Sequence, residues 1–355
     1  MKVKLYLCGG EDPVSEFSLG LGYLKSNCTG DITIVNDRNE LNDCDLIGLS
    51  STTGGLKEAV EILMESKVPV VIGGQGTMWD GLNDYPFEHI VHGEGETALQ
   101  GIIDGKYRGT KNIRCDNIPD LDTLRFPDRG MCGTVAPILT SRGCPWNCHF
   151  CSSQRYWGKT RWHSAEYFLD EVGFIDKTYP HSRVLYIMDD LFIVNLKRFD
   201  RIYEQWMSSG LNERFELQSF IRSNCMTMDK AVKMKAMGFR NVRFGAESGS
   251  NRLLKIINKQ ETVEDHQRCV DICRKVGLNV SCSLIKYLPG ETVEDRKLTA
   301  KFRMKNIRYL CVSGNYRFQP FPGTYFYNGE NPLEGDWRTR GGNVNKNLKE
   351  EGVLK

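Results

Sequence analysis

VAPILTSRGCPWNCHFCSS, residues 135–153, joins an apolar strand-like run to a loop that holds Cys144, Cys148 and Cys151 in a C-x3-C-x2-C spacing. Three thiols in one short loop are an incomplete set for structural zinc, which takes four ligands, usually as two C-x2-C pairs set well apart. His149 would be the fourth candidate. It lies between Cys148 and Cys151, and closing a tetrahedron from such near neighbours would strain the loop. A [4Fe–4S] cluster needs one ligand per iron, so three cysteines leave one iron open to an external ligand. An open iron implies chemistry, because a cluster that only carries electrons is fully capped.

Beyond this loop the chain alternates strand and helix signals. The strands read RVLYIMDD, FELQSFI, NVRFGAES, NVSCSLIK and YLCVSGNYRF; between them lie helical patterns near AEYFLDEVGFID, LKRFDRIYEQWM, DKAVKMKAM, HQRCVDICRKV and DRKLTAKFRM. With VAPILTS that makes six strands, each but the last followed by a helix. Six such units favour an incomplete parallel barrel, a (β/α)6 partial TIM barrel, over a second open sheet, although periodicity alone does not distinguish the two. The cysteine loop would leave the carboxyl end of its first strand, where such folds keep their sites.

Before the loop, KVKLYLCG, DITIV, DLIGLSS, VPVVIGG and HIVHG alternate with helical stretches such as LKEAVEILMES and ETALQGIIDG. Apolar strands separated by short helices predict a doubly wound parallel sheet. Only DRNELNDC separates the second strand from the third, leaving room for little or no helix there. Gly73, Gly74, Gly93 and Gly95 follow strands, at the ends where such sheets open a ligand crevice. The segment NIRCDNIPDLDTLRFPDRGM has no period and reads as a surface linker. The expected division is therefore 1–111 for the first domain, 112–131 for the linker, 132–325 for the barrel and 326–355 for a polar, Gly/Asn-rich tail.

The 355 residues are 40% hydrophobic and 26% charged, enough for two domains with separate cores. A formal net charge of +2 gives no field that would select nucleic acid or an anionic membrane. No run of 18 or more apolar residues occurs and the amino terminus lacks a signal-peptide layout, so a cytoplasmic protein is expected. Thirteen scattered cysteines do not form a disulfide framework. Cys8, Cys28, Cys44, Cys282 and Cys311 read as small core hydrophobes, and Cys269 and Cys273, one helical turn apart, as part of an apolar stripe. His89 and His92 read as structural.

The C-x3-C-x2-C loop after the first strand of a second α/β domain resembles the radical S-adenosylmethionine superfamily. VHGEGE (91–96), IPDLDTLRFPDRG, GAESGSNRLLKIINK from Gly245, LPGET from Leu288 and QPFPGTYFY from Gln319 resemble its members that carry an amino-terminal B12-binding domain. The resemblance implies a Rossmann/flavodoxin-like domain of that type followed by the partial barrel. It also implies that the open iron chelates S-adenosylmethionine, which one electron splits into methionine and a 5′-deoxyadenosyl radical. Residue by residue, it assigns Cys144, Cys148 and Cys151 to the cluster and Phe150 to shielding it and contacting adenine. Asp189 or Asp190 would accept the methionine amino group; Arg222 and Glu247 would hold the ribose or the methionine carboxylate. Gly73, Gly74, Gly93 and Gly95 could cradle a nucleotide tail.

The chain departs from that pattern at two places. CGGEDPVSEF stands where cobalt-ligating relatives show Asp-x-His-x-x-Gly, so cobalamin is expected only without a protein ligand to cobalt, or not at all. In SLIKYLPGET, Lys286 and Tyr287 replace an apolar residue and a glycine, which makes them candidate catalytic residues, Tyr287 the better one. The function expected is hydrogen abstraction by a deoxyadenosyl radical, with cobalamin-dependent methyl transfer as the first reading. Rearrangement, dehydrogenation or ring contraction with a vestigial first domain is the alternative; RNA methylthiolation and non-catalytic metal binding stand further off. The partners expected are a small-molecule or peptide substrate and an external electron donor of flavodoxin or ferredoxin type, with neither membrane nor nucleic acid.

Overall fold

The computed structural model describes residues 1–9, 18–130 and 132–334. Most of the loop expected to lack a cobalt ligand, residues 10–17, and most of the tail, from 335 onward, lie outside the described residues. The chain forms two compact units. One takes in Met1–Cys132, Arg155–Arg161 and the stretch from Pro320; the other takes Gly133–Gln154 and Trp162–Gln319.

The first unit is built on six parallel strands: β1 (Lys2–Cys8), β2 (Asp31–Ile34), β3 (Leu46–Ser51), β4 (Val70–Gly73), β5 (His89–His92) and β6 (Asn112–Arg114), in the order β2-β1-β3-β4-β5-β6. The direction of winding reverses between β1 and β3. Right-handed crossovers then put helices on both faces. Accordingly α1 (Leu19–Asn27) and α3 (Gly95–Ile103) pack their Leu21, Ala98, Leu99 and Ile102 into one apolar cluster, while α2 (Leu56–Glu65) packs Leu56, Ala59, Ile62 and Leu63 into the other. Between β2 and β3 there is only a 3-10 turn, Arg38–Glu40, as the short spacer predicted.

The sheet runs further than expected. Asn112–Arg114 pair with β5 in register Ile90↔Asn112, so the first residues of the predicted linker are a sixth strand. Three residues with one buried apolar side chain, Ile113, are too few to show a period. The rest of that segment is fastened to the same unit: Asn27 accepts from Arg125 N at 2.8 Å, Lys25 meets Asp128 at 2.6 Å, and Leu121 is fully buried. Residues 155–161, predicted as barrel, also belong here. Arg161 forks onto Glu94 with bonds of 2.7 and 3.0 Å, and Tyr156 Oη donates to Gly93 O.

The second unit holds β7 (Val135–Ile138), β8 (Val184–Ile187), β9 (Glu216–Ile221), β10 (Phe239–Glu247), β11 (Asn279–Lys286) and β12 (Leu310–Arg317). They are all parallel and lie in sequence order, with no ladder joining β7 to β12 among the described residues. Six parallel strands in sequence order, without closure, match the expected (β/α)6 partial barrel. A monotonic order sends every right-handed crossover the same way, so the helices share one face and the other is left to line an interior. Leu185, Leu217, Val242, Phe244, Val280 and Cys282 occupy the helix-covered parity and are buried.

Two of the covering helices, α4 (Val263–Val276) and α5 (Val293–Asn306), begin with the same string, Glu-Thr-Val-Glu-Asp, at 261–265 and 291–295. In each a capping box closes the first turn, Thr262 with Asp265 and Thr292 with Asp295. Cys269 and Cys273 are buried on α4 and Cys8, Cys28 and Cys282 are buried as read from sequence; Cys311 is exposed, on the edge strand β12.

Candidate active site at the carboxyl ends of the second sheet

The loop after β7 is held by bonds to other strand ends. Asp189, at the end of β8, accepts from Thr140 N at 2.5 Å, Thr140 Oγ1 at 2.6 Å and Ser141 N at 3.0 Å. It is sealed from solvent, and its burial pushes the carboxyl above the ordinary range. The expectation that Asp189 receives the methionine ammonium is therefore corrected: its oxygens fix the residues that start the cysteine loop. Asp190 is the reachable one of the pair. It accepts from Ser153 Oγ at 2.5 Å, and protein packed close around it, with Asp189 adjacent, pushes its carboxyl up as well.

Cys148 is buried and Cys144 and Cys151 are half-buried, all three as free thiols. Burial raises the Cys144 thiol to about 11 and the Cys151 thiol to about 12, and each feels the charge of Cys148 and of Asp190. Uncompensated, Cys144 and Cys151 stay protonated at neutral pH; iron would displace their protons. Among the described residues no group of three or more His, Cys, Asp or Glu is arranged to hold a metal ion. A cluster binds each thiolate to a different iron, so three free thiols of one loop fit it without converging on a point. His149 is no fourth ligand by position: its backbone N donates to Ile257 O and its ring Nδ1 meets Ile256 O, both at 2.9 Å.

A buried ionic network backs the loop. Arg222, just past β9, directs Nη1 at Cys148 Sγ, 3.8 Å away, and its guanidinium stacks 4.4 Å from the Trp146 ring. Its Nη2 donates to Lys259 O and lies 3.3 Å from Glu261 Oε2. Lys259 Nζ sits 3.1 Å from Glu247 Oε1 and 3.5 Å from Glu261 Oε2, and 5.8 Å over the Phe150 ring. Burial opposes charge on Lys259, yet Glu247 and Glu261 hold its ammonium above its usual range; burial likewise opposes charge on Glu261, while Lys259 and Arg222 hold it below. Two cations thus balance two carboxylates, and breaking such a set costs far more than its net contribution.

Arg222 and Glu247 are committed to this network, so the expectation that they hold the ribose or the methionine carboxylate gives way to a supporting position. Glu247 has φ +59°, at a register shift between Gly245 and Glu247. A Cβ on Gly245 would fall 2.0 Å from Glu247 Oε1, so only glycine there lets the carboxylate fold back to Lys259. Lys259 and Glu261 were missed in the sequence, although both stand in or beside the quoted GAESGSNRLLKIINK.

Tyr287 also lies in the left-handed region, at φ +60°. The glycine of the family pattern thus marks a real backbone requirement, which this chain meets with tyrosine at a cost of about 1–2 kcal/mol. Its N donates to Glu291 Oε2 at 2.7 Å, and its exposed ring lies under the Arg317 guanidinium at 5.1 Å. Lys286 has the strand parity of Leu284 and Cys282, on the helix-covered face, so its candidacy as a catalytic residue is not supported.

In the first unit, Gly74 and Gly93 have φ of +86° and +96°. A Cβ would lie 2.7 Å from Ser51 O at Gly74 and 2.9 Å from Cys115 O at Gly93. The close approach of the end of β3 to Gly74, and of the residue after β6 to Gly93, accounts for both glycines. Gly73 ends β4 and Gly95 opens α3. His89 Nδ1 meets Thr110 O at 2.6 Å and His92 Nε2 meets Asn112 Oδ1 at 2.9 Å, as structural partners of the sixth strand.

Residues 138–303 match the family model of the radical SAM superfamily. An uncharacterized methyltransferase of Pyrococcus horikoshii is 29% identical over 320 residues, covering 79% of this chain and 68% of that protein. An anaerobic magnesium-protoporphyrin IX monomethyl ester cyclase of Rubrivivax gelatinosus is 24% identical, covering 79% of this chain and 60% of its own. Among solved structures, the radical S-adenosylmethionine methyltransferase TsrM of Kitasatospora setae, with tryptophan and an S-adenosylmethionine analogue bound, superposes with a TM-score of 0.75 at 17% identity, over 92% of this chain and 75% of that one. TsrM with cobalamin and a [4Fe–4S] cluster bound gives 0.74 at 16% identity, over 92% and 74%. No described helix is long and apolar enough to cross a membrane.

Proposed function

We propose that this chain, an enzyme of the radical S-adenosylmethionine superfamily, transfers a methyl group to a carbon of a small-molecule substrate in a cobalamin-dependent reaction. The observation that carries the radical chemistry is the loop of three free thiols at the carboxyl end of a parallel strand, backed by Arg222 at Cys148. The cluster, when bound, supplies the electron that cleaves S-adenosylmethionine to a deoxyadenosyl radical. Cys144, Cys148 and Cys151 would ligate it. Phe150 and Trp146 exclude water on the protein side, and Asp190 offers a reachable carboxylate for the methionine ammonium. An external reductant of flavodoxin or ferredoxin type would serve as electron donor.

The methyl-transfer reading is supported by the name of the Pyrococcus relative and by the cobalamin bound to TsrM. The reversal of winding between β1 and β3 provides the usual crevice for a nucleotide-like cofactor. One observation favours a second reading: neither the stretch after β1 nor those after β3 and β4 contain a histidine, so the protein offers cobalt no imidazole there. Anaerobic reconstitution with iron and sulfide, then incubation with S-adenosylmethionine, dithionite and hydroxocobalamin, separates the two. Deoxyadenosine together with retained corrinoid supports methyl transfer. Deoxyadenosine without corrinoid makes the first unit a scaffold for a cobalamin-free radical reaction. Failure to bind S-adenosylmethionine with an intact cluster would overturn both.

A further inference from the structure

The uncovered face of the second sheet carries an unusual cation. Strand registers Tyr186↔Gln218 and Phe220↔Arg243 set these four side chains side by side on the parity opposite the helix-covered core. The Arg243 guanidinium lies 5.4 Å over the Tyr186 ring. Its Nη1 reaches Tyr186 Oη at 3.4 Å and its Nη2 reaches Gln218 Oε1 at 3.5 Å, both at the long limit of a hydrogen bond, and its buried Nε has no partner. The buried Arg161 of the first unit and Arg222 of the second each rest on a glutamate; Arg243 meets no carboxylate within 4 Å among the described residues. Glu216, of the same parity on β9, is taken by Arg240 at 2.6 Å.

A guanidinium has five donors in a rigid fork matched to two oxygens of a carboxylate or phosphate. Holding one half-buried, oriented by an aromatic face and an amide yet without a counter-charge, leaves a desolvation cost that an incoming anion would offset. Beside it stands an apolar surface still open to contact: Phe220, edge-on to Tyr186 at 6.3 Å and 37% exposed.

We propose that Arg243 is a docking position for an anionic group, carboxylate or phosphate, of a substrate whose remaining body is apolar or aromatic. The word substrate rests on the enzymatic reading above; the anion site itself does not.

The test titrates reconstituted protein, saturated with S-adenosylmethionine, with 4-fluorobenzoate, 4-fluorophenyl phosphate and the neutral 4-fluorobenzamide, read by fluorine NMR. At least one anion is expected to bind about tenfold more tightly than the amide. Which of the two does so identifies carboxylate or phosphate. Arg243→Gln is expected to abolish that preference. Arg243→Lys, which keeps the charge without the fork, is expected to weaken it part-way, and it carries the test should circular dichroism show the glutamine variant unfolded. Equal binding of anion and amide, no binding of any probe, or an undiminished preference in the variants overturns the proposal. Deoxyadenosine formation by the wild-type protein is measured separately, so failure of the radical reading is distinguishable from failure of this one.

Discussion

Arg222 stands between Cys148 and Glu261, with Nη1 3.8 Å from the Cys148 sulfur and Nη2 3.3 Å from the Glu261 carboxylate. A buried cation that also donates to a ligand sulfur stabilises the more negative, reduced state of a cluster. Arg222→Gln is therefore expected to shift the reduction potential to a more negative value while the cluster is retained. An EPR-monitored redox titration checks this; an unchanged potential would mean that the arginine only fills space. The same variant leaves Glu261 with Lys259 as its sole cationic neighbour, so a stability loss of about 3 kcal/mol is expected in urea unfolding.

The three cysteines are expected to act as one unit. Replacing any one of Cys144, Cys148 or Cys151 by alanine removes one of three iron ligands, so iron content and the visible absorption of the reconstituted protein should collapse and deoxyadenosine should fall to background. Alanine at Cys269 or Cys273, buried on α4, should leave the iron content intact and cost stability alone.

Legibility followed the range of the interactions. The cysteine loop could be read because all three ligands fall within eight residues, and the six barrel strands because each is a short apolar run and all but the last are followed by a periodic helix. The strand Asn112–Arg114 could not, since it holds a single buried apolar side chain and is defined by its neighbour β5. The pairing of Arg222 with Glu261 spans 39 residues of sequence and that of Thr140 with Asp189 spans 49. Nothing local marks such partners. The resemblance thus gives Asp189 and Arg222 a ligand's work, whereas their contacts go to the protein. Tyr287 was legible for the opposite reason: it breaks a pattern at a position where the backbone demands a left-handed turn.

Tyr287→Gly is expected to stabilise the fold by up to about 1 kcal/mol, because relief of the left-handed strain outweighs the extra freedom of glycine in the unfolded chain. The stack with Arg317 would be lost at the same time. If the tyrosine serves the reaction, product formation falls as the urea midpoint rises. Tyr287→Phe isolates the hydroxyl: unchanged turnover removes a hydrogen-relay role and leaves the ring as a contact surface.

His266 sets a pH dependence. It is fully buried between Phe244 and Phe302, with Nδ1 2.7 Å from Ser223 Oγ, and burial drives its pKa down to about 4, against an ordinary value of 6.5. Glu261 and Asp265 oppose that shift and Lys259 reinforces it. The neutral ring is thus favoured by the fold, while in the unfolded chain the imidazole takes up its proton as pH falls through 6.5. The stabilisation is fully present above that value. It is lost progressively toward pH 4, at no more than about 1.4 kcal/mol per pH unit for a single proton. Urea midpoints measured from pH 7.5 to 4.5 should fall for the wild-type protein and fall less steeply for His266→Asn, whose side chain can still bond Ser223 but cannot titrate. Parallel slopes would place the acid sensitivity elsewhere, in the carboxylates that the fold holds below their ordinary range, Glu261 and Asp295 among them.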